Sequence, residues 1–259
     1  MEVTLSSALA NFSVVERALS LEGPVARFLF LTESLGASGF EQLAELALRQ
    51  QTTTGLSLER TREPATLWIT GTNGQGFYVV AGRQIVTAER LEVLALGYPQ
   101  PYPDGRPVHR VLEELAHSSC LRVLPWGAGK WLGWRGRIVE DIVRSPHTTT
   151  LFLGDNANRP WFWPLPDVFR AATALGIRNL PGSDPLPFPD QERKAGTFGF
   201  YLPGTVAENQ PFASIHKLLS APEARPQPYG RLENLFNFLN HQVTMQFGKQ
   251  KAARPASRP

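Results

Sequence analysis

The sequence predicts one α/β domain whose strands close into a barrel, and three observations predict it. Short continuous apolar runs, the pattern of strands buried on both faces, alternate with segments whose apolar residues recur at helical spacing. The strand candidates number roughly seven or eight, which favours a closed barrel over an open doubly wound sheet. The 259 residues also match the length that α/β barrels use as a single unit.

The elements follow in order. Residues 14–21 read as helix. Residues 27–32 (RFLFLT) form a short apolar run ending in polar residues, as a buried strand does. Residues 38–49 are helical: Phe40, Leu43, Leu46 and Ala47 share one face, and Ser38 is placed to cap it. Residues 67–70, 77–81, 84–87 and 91–96 read as strands. The glycine-rich run 71–76 precedes a strand instead of opening a helix, so it reads as a turn. After a Pro- and Tyr-rich loop over 97–107, helices are expected over 108–118, 137–144 and 166–175, alternating with strands over 121–124, 149–153 and 177–180. A strand over 198–202 and helices over 212–219 and 232–247 complete the pattern.

Composition narrows the class. Apolar residues at 42% and charged residues at 19% suffice for a sizeable core. The 26 basic and 23 acidic residues, net +3, are too balanced to indicate nucleic-acid binding. Part of that excess lies in the tail over 248–259, where Lys249, Lys251, Arg254 and Arg258 have no acidic neighbour. That tail is expected to be disordered, leaving 1–247 as the folded domain. The single cysteine, Cys120, excludes an internal disulfide and sits in an apolar run, as core cysteines do. No apolar run reaches the roughly 18 residues of a membrane span, and Glu2 and Glu16 interrupt the N-terminal segment. The expectation is a cytoplasmic protein without export signal or membrane insertion.

Three loops after strands carry unusual polar chemistry. The first, 125–137, holds Trp126, Gly127, Gly129, Lys130, Trp131, Arg135 and Arg137. The second holds Asp155, Asn156, Asn158 and Arg159; the third holds Ser183 and Asp184, followed by Arg193 and Lys194. Loops after parallel strands share one face, so the three are expected to converge. Glycines permit close backbone approach and the basic residues suit an anion. The alternative is that the tryptophans pack loop against barrel while Lys and Arg are solvated. Asp155 and Asp184 end strands, where a carboxylate acts as base, metal ligand or helix cap. The five histidines, His109, His117, His147, His216 and His241, show no close ligand spacing.

Five stretches match a known motif order. Residues 2–7 (EVTLSS) stand where a first strand would carry an HxH pair. Residues 28–34 (FLFLTES) stand for a strand ending in Thr-Asp-His, with Glu33 and Ser34 in the last two places. Residues 80–87 (VAGRQIVT) stand for a Glu-bearing strand, with Gln84 at the ligand position, and 91–97 (LEVLALG) for the strand after it. Gly182-Ser183-Asp184 stands for a closing Gly-Ser-Asp-Ala-His, with Pro185 and Leu186 in place of Ala-His. Over about 2–204 this order resembles the polymerase and histidinol phosphatase (PHP) superfamily. The resemblance implies a distorted (β/α)7 barrel in which divalent metals, manganese or zinc, activate water to hydrolyse phosphate esters. It leaves Glu33 and Asp184 as the carboxylates that would hold a metal, with most other ligands lost.

The functional expectation is a metal-poor barrel that binds a phosphorylated or anionic small molecule through Lys130, Arg135, Asn156, Arg159 and Arg193. Two alternatives stay open. One is a phosphoesterase-type hydrolase with a rebuilt site, in which Glu33, Asp155 and Asp184 are the catalytic carboxylates. The other is a partner-binding protein using the aromatic clusters at Trp161, Phe162 and Trp163 and at Phe236 and Phe238.

Overall fold

In the computed structural model, residues 1–52, 55–127, 129–145, 150–186 and 191–232 are described. The helix expected over 232–247 (beyond Leu232), the tail over 248–259, His147, His241, Phe236 and Phe238 lie outside the described residues.

The chain opens with helix α1 (Glu2–Leu19), where the resemblance placed a strand. Leu5, Ala8 and Phe12 recur at helical spacing and are buried, so the segment coils. Strand β1 (Phe28–Phe30) and helix α2 (Gly39–Leu48) follow. Strands β2 (Leu56–Arg60), β3 (Thr66–Gly71) and β4 (Gly76–Val80) pair antiparallel, and β1 joins β4 in parallel. A second sheet takes β5 (Gly82–Val86), β6 (Glu92–Leu96), β7 (Leu121–Pro125), β8 (Leu151–Gly154) and β9 (Arg178–Asn179) in that order. Helices α3 (Val108–Ala116), α4 (Trp134–Arg144) and α5 (Asp167–Ala174) connect β6 to β9. A short 3-10 helix (Gln191–Lys194), β10 (Gly199–Tyr201), α6 (Pro211–Ser220) and β11 (Gln227–Tyr229) follow, with β10 paired to β11.

The expected (β/α)7 barrel of PHP type does not form. The strands make sheets of four, five and two, none of them closed. Connection length decides this. The loops 61–65, 72–75 and 87–91 join β2 to β3, β3 to β4 and β5 to β6. Each is far too short for the crossover of about a dozen residues that a parallel pair requires. Only β7-α4-β8-α5-β9 keeps the parallel pattern that the alternation of strands and helices suggested. Among the described residues no helix is long and apolar enough to cross a membrane.

Strands β4 and β5 are one strand broken at Ala81, and this strand is the spine of the molecule. The Ala81 N–H donates to the Ala65 carbonyl (2.8 Å), and its carbonyl accepts from the Gly97 N–H (2.7 Å). One edge of the spine therefore pairs first with β3 and then with β6. Along the other edge, the Leu31 N–H donates to Val80 (2.9 Å) and the Glu33 N–H to Gly82 (3.0 Å), carrying β1 across the break. A Cβ at Gly82 would lie 2.3 Å from the Leu31 carbonyl oxygen and 3.0 Å from that of Ala95. Glycine is required where two neighbouring backbones close in this way.

Alternation along the strands separates two faces. Val93, Ala95, Leu151 and Leu153 pack beneath α3, α4 and α5. Leu94, Leu96, Leu121, Val123 and Phe152 face the other way, toward Phe212, Ile215 and Leu219 of α6. Helices α1 and α2 cover the first sheet in a third cluster. Helix α6 is pinned at its N-terminus by a distant side chain: the Glu63 carboxylate accepts the Phe212 N–H (2.7 Å) and the Ala213 N–H (2.8 Å). Phe212 then lies on Gly97, whose φ is +84° and where a Cβ would come within 1.9 Å of the Phe212 ring. Gly97→Ala combines left-handed strain with overpacking, so it is expected to cost roughly 2–5 kcal/mol. Urea denaturation measures this, and an unchanged midpoint would show that α6 does not rest on Gly97.

Candidate functional site

The inner face of the second sheet is only partly covered by α6. What remains is a cavity of about 1090 Å³, lined on one side by β1 and on the other by the chain after β9. Closure into a barrel would have joined these two edges. The cavity follows β1 from Arg27 to Glu33, about 20 Å at roughly 3.3 Å per residue. Phe28, Phe30, Leu94, Leu96, Val123 and Leu180 form an apolar wall, and α6 adds Ile215 and Leu218. At one end Arg27 is ion-paired with Glu16.

The other end is polar. It collects the C-terminal ends of β1, β7 and β8, the start of antiparallel β6, and the loop after β9. Ligands in open α/β sheets bind at this kind of carboxyl-end crevice. Gln84, Glu92, Lys130, Asp155, Asn156, Asn158 and Asp184 line it. Lys130 is ion-paired with Glu92. The Asp184 backbone is left-handed, with φ of 42°. The Asn158 amide donates to the Asp184 carbonyl at 2.7 Å and weakly to its carboxylate at 3.4 Å. Asp184 is exposed and lines the cavity. Desolvation in this concavity, reinforced by Glu92, pushes its carboxyl above the ordinary range; Lys130 and the Asn158 hydrogen bond act in the opposite direction.

Five of the eight residues expected in the site line the cavity: Glu33, Lys130, Asp155, Asn156 and Asp184. Two of these are already committed elsewhere. Glu33 is ion-paired with Arg83 (3.2 Å) and accepts the Phe40 N–H (2.9 Å), so it caps α2 in place of Ser38, whose side chain makes no capping bond. Asp155 forms a buried fork with Arg159, at 2.8 Å to both carboxylate oxygens. The other end of Arg159 donates to the Trp163 carbonyl at 2.5 Å, so it ties the 155–163 loop together. Asn156 donates to the Trp126 carbonyl (2.9 Å) and holds the first loop against the second. Arg135, Arg159 and Arg193 do not line the cavity. Arg135 donates to the Gly129 carbonyl at 2.8 Å, and Arg193 lies in the 3-10 helix packed on α1.

The metal cluster implied by the resemblance does not fit these residues. Glu33 spends its oxygens on Arg83 and the N-terminus of α2. Among the described residues no three His, Cys, Asp or Glu side chains stand close enough to hold an ion. Glu92 and Asn158 were missed as site residues. The signal for Glu92 lay in the run 91–96 (LEVLAL), where the glutamate is in phase with Leu94 and Leu96 on the inward face.

The fold and site thus define an open mixed α/β protein with a deep amphiphilic cavity. No family model matches the chain, and no curated protein matches it. It is similar to the crystal structure of PsfC from Pseudomonas syringae PB-5123, at 15% identity over 95% of this chain and 90% of that one, with a TM-score of 0.48. That likeness is too distant to carry an argument.

Two outcomes are expected of the site's acids. Arg159→Leu leaves the Asp155 charge buried and unpaired, and is expected to cost about 3–5 kcal/mol in urea denaturation; a loss below 1 kcal/mol would mean water reaches Asp155. Asp184 behaves oppositely. Its carboxyl is raised in the folded protein, so stability is lost as pH rises through the folded value. Asp184→Asn removes the charge and suits the left-handed backbone. The variant is expected to melt above wild type at pH 7, with the gap narrowing as pH falls toward the ordinary aspartate value of 3.8. A variant that melts lower at pH 7 contradicts this.

Proposed function

We propose that this chain is a small-molecule binding protein. Its ligand lies along β1, with an apolar body against the phenylalanine and leucine wall and a polar head at Glu92, Lys130 and Asp184. The cavity carries this reading: at about 1090 Å³ it has the size of ligand pockets, which run to roughly 1,000 Å³, and it pairs an apolar lining with few convergent polar groups. Of the basic residues that the sequence suggested for an anion, Lys130 alone lines the cavity. The reading assigns recognition mainly to shape and apolar contact, with the head group setting orientation.

Nile red, an uncharged apolar dye, tests it. Saturable binding with a strong fluorescence rise is expected for the wild-type chain. Leu94 is partly buried on the cavity wall, and Leu94→Trp fills space there, so it is expected to weaken binding about tenfold, or ~1.4 kcal/mol. No saturable binding by wild type, or undiminished binding by a folded Leu94→Trp variant, refutes the proposal.

A further inference from the structure

We propose that the head group accepted at the polar end carries a positive charge, as an ammonium on an apolar body. This rests on the binding reading above and deepens it. The first ground is charge balance. Apart from Glu33 and Asp155, each held by an arginine, two carboxylates of the described residues, Glu92 and Asp184, line that end against one cation, Lys130, which Glu92 already pairs. The neighbouring arginines do not redress the balance. Arg83 spends its donors on Glu33 and on the carbonyls of Ala37, Pro99 and Gln100, and Arg159 on Asp155 and Trp163.

The second ground is unfilled acceptors. Among the described residues the Asp184 carboxylate receives only the 3.4 Å contact from Asn158. The Asn158 side-chain oxygen is buried and has no hydrogen-bond partner among the described residues. Its orientation is fixed, because the Asp184 carbonyl can only accept and so must face the amide nitrogen at 2.7 Å. Asp184 is exposed and lines the cavity, so its carboxylate can accept N–H groups from a ligand there. Gln84, on the same wall, has no side-chain hydrogen bond among the described residues and offers a further amide oxygen. An anion placed here would meet a Lys130 whose charge Glu92 already offsets, beside a second carboxylate.

Three probes with one tail separate the readings: dodecyltrimethylammonium, dodecanol and dodecyl sulfate, each below its micelle concentration, displacing Nile red at neutral pH. The ammonium is expected to bind at least tenfold tighter than the alcohol, and the sulfate weakest. Asp184→Asn is expected to bring the ammonium-to-alcohol ratio close to one. Glu92→Gln frees Lys130 and is expected to shift preference toward the sulfate, which keeps the test decisive if the first variant fails to fold. Equal affinities, or tightest binding of the sulfate to wild type, overturn the cationic head and leave the binding reading standing. Failure of all three probes and of the dye overturns both.

Discussion

The close approach of three backbones at Gly82 is the constraint on which the rest of the structure depends. Strand β1 bonds to one edge of the spine strand across this point, while β3 and β6 share the other edge on either side of Ala81. The two large sheets thus hang from one strand, and no Cβ can enter where they meet. The next residue, Arg83, consolidates the junction. Its guanidinium is 7% exposed and reaches Glu33 and three carbonyls, so both partners of a buried ion pair are hydrogen-bonded. Breaking one member of such a pair is costly because the other stays buried and charged. The position of β1, and with it one cavity wall, follows from this junction.

Three glutamates serve helix ends. None of the helices α1 to α6 is capped by the side chain at its own N-cap position. Glutamates from elsewhere take over at three of them: Glu33 at α2, Glu89 at α3 with the Val108 N–H at 3.0 Å, and Glu63 at α6. Negative charge at a helix N-terminus satisfies free amides and opposes the helix dipole. Against this background Asp184 stands apart. Among the described residues it caps no helix and pairs with no arginine, and it lines a cavity.

The local elements were largely legible in the sequence, and the global arrangement was not. Apolar periodicity located α2, α3 and α5 and the strands from β4 through β8, because burial on fixed faces imposes the period directly. The barrel failed on information that was present in plain view: loops of four and five residues between β3 and β4 and between β5 and β6 permit only hairpins. The segment 2–7 was matched to a strand by motif order, while its own Leu5, Ala8 and Phe12 spacing is helical. For the site, the ends of β7, β8 and β9 did converge, since parallel strands place their following loops together. Asp155 and Arg159 were read as separate site residues, whereas they pair with each other across four positions. The Glu63 cap was not visible at all, because it joins residues 149 positions apart.

That cap also governs how the cavity responds to its contents. Helix α6 forms one wall, and two charge-assisted bonds to a hairpin of the other sheet hold its first turn. Such bonds break together and over a short distance, so the wall has no soft mode of retreat at that end. Under the binding reading proposed above, occupants of different girth would meet a threshold: those that fit would leave the helix seated, and those that do not would have to unseat it. Selection by size would then rest on stiffness more than on many contacts, with one glutamate outside the pocket supplying it.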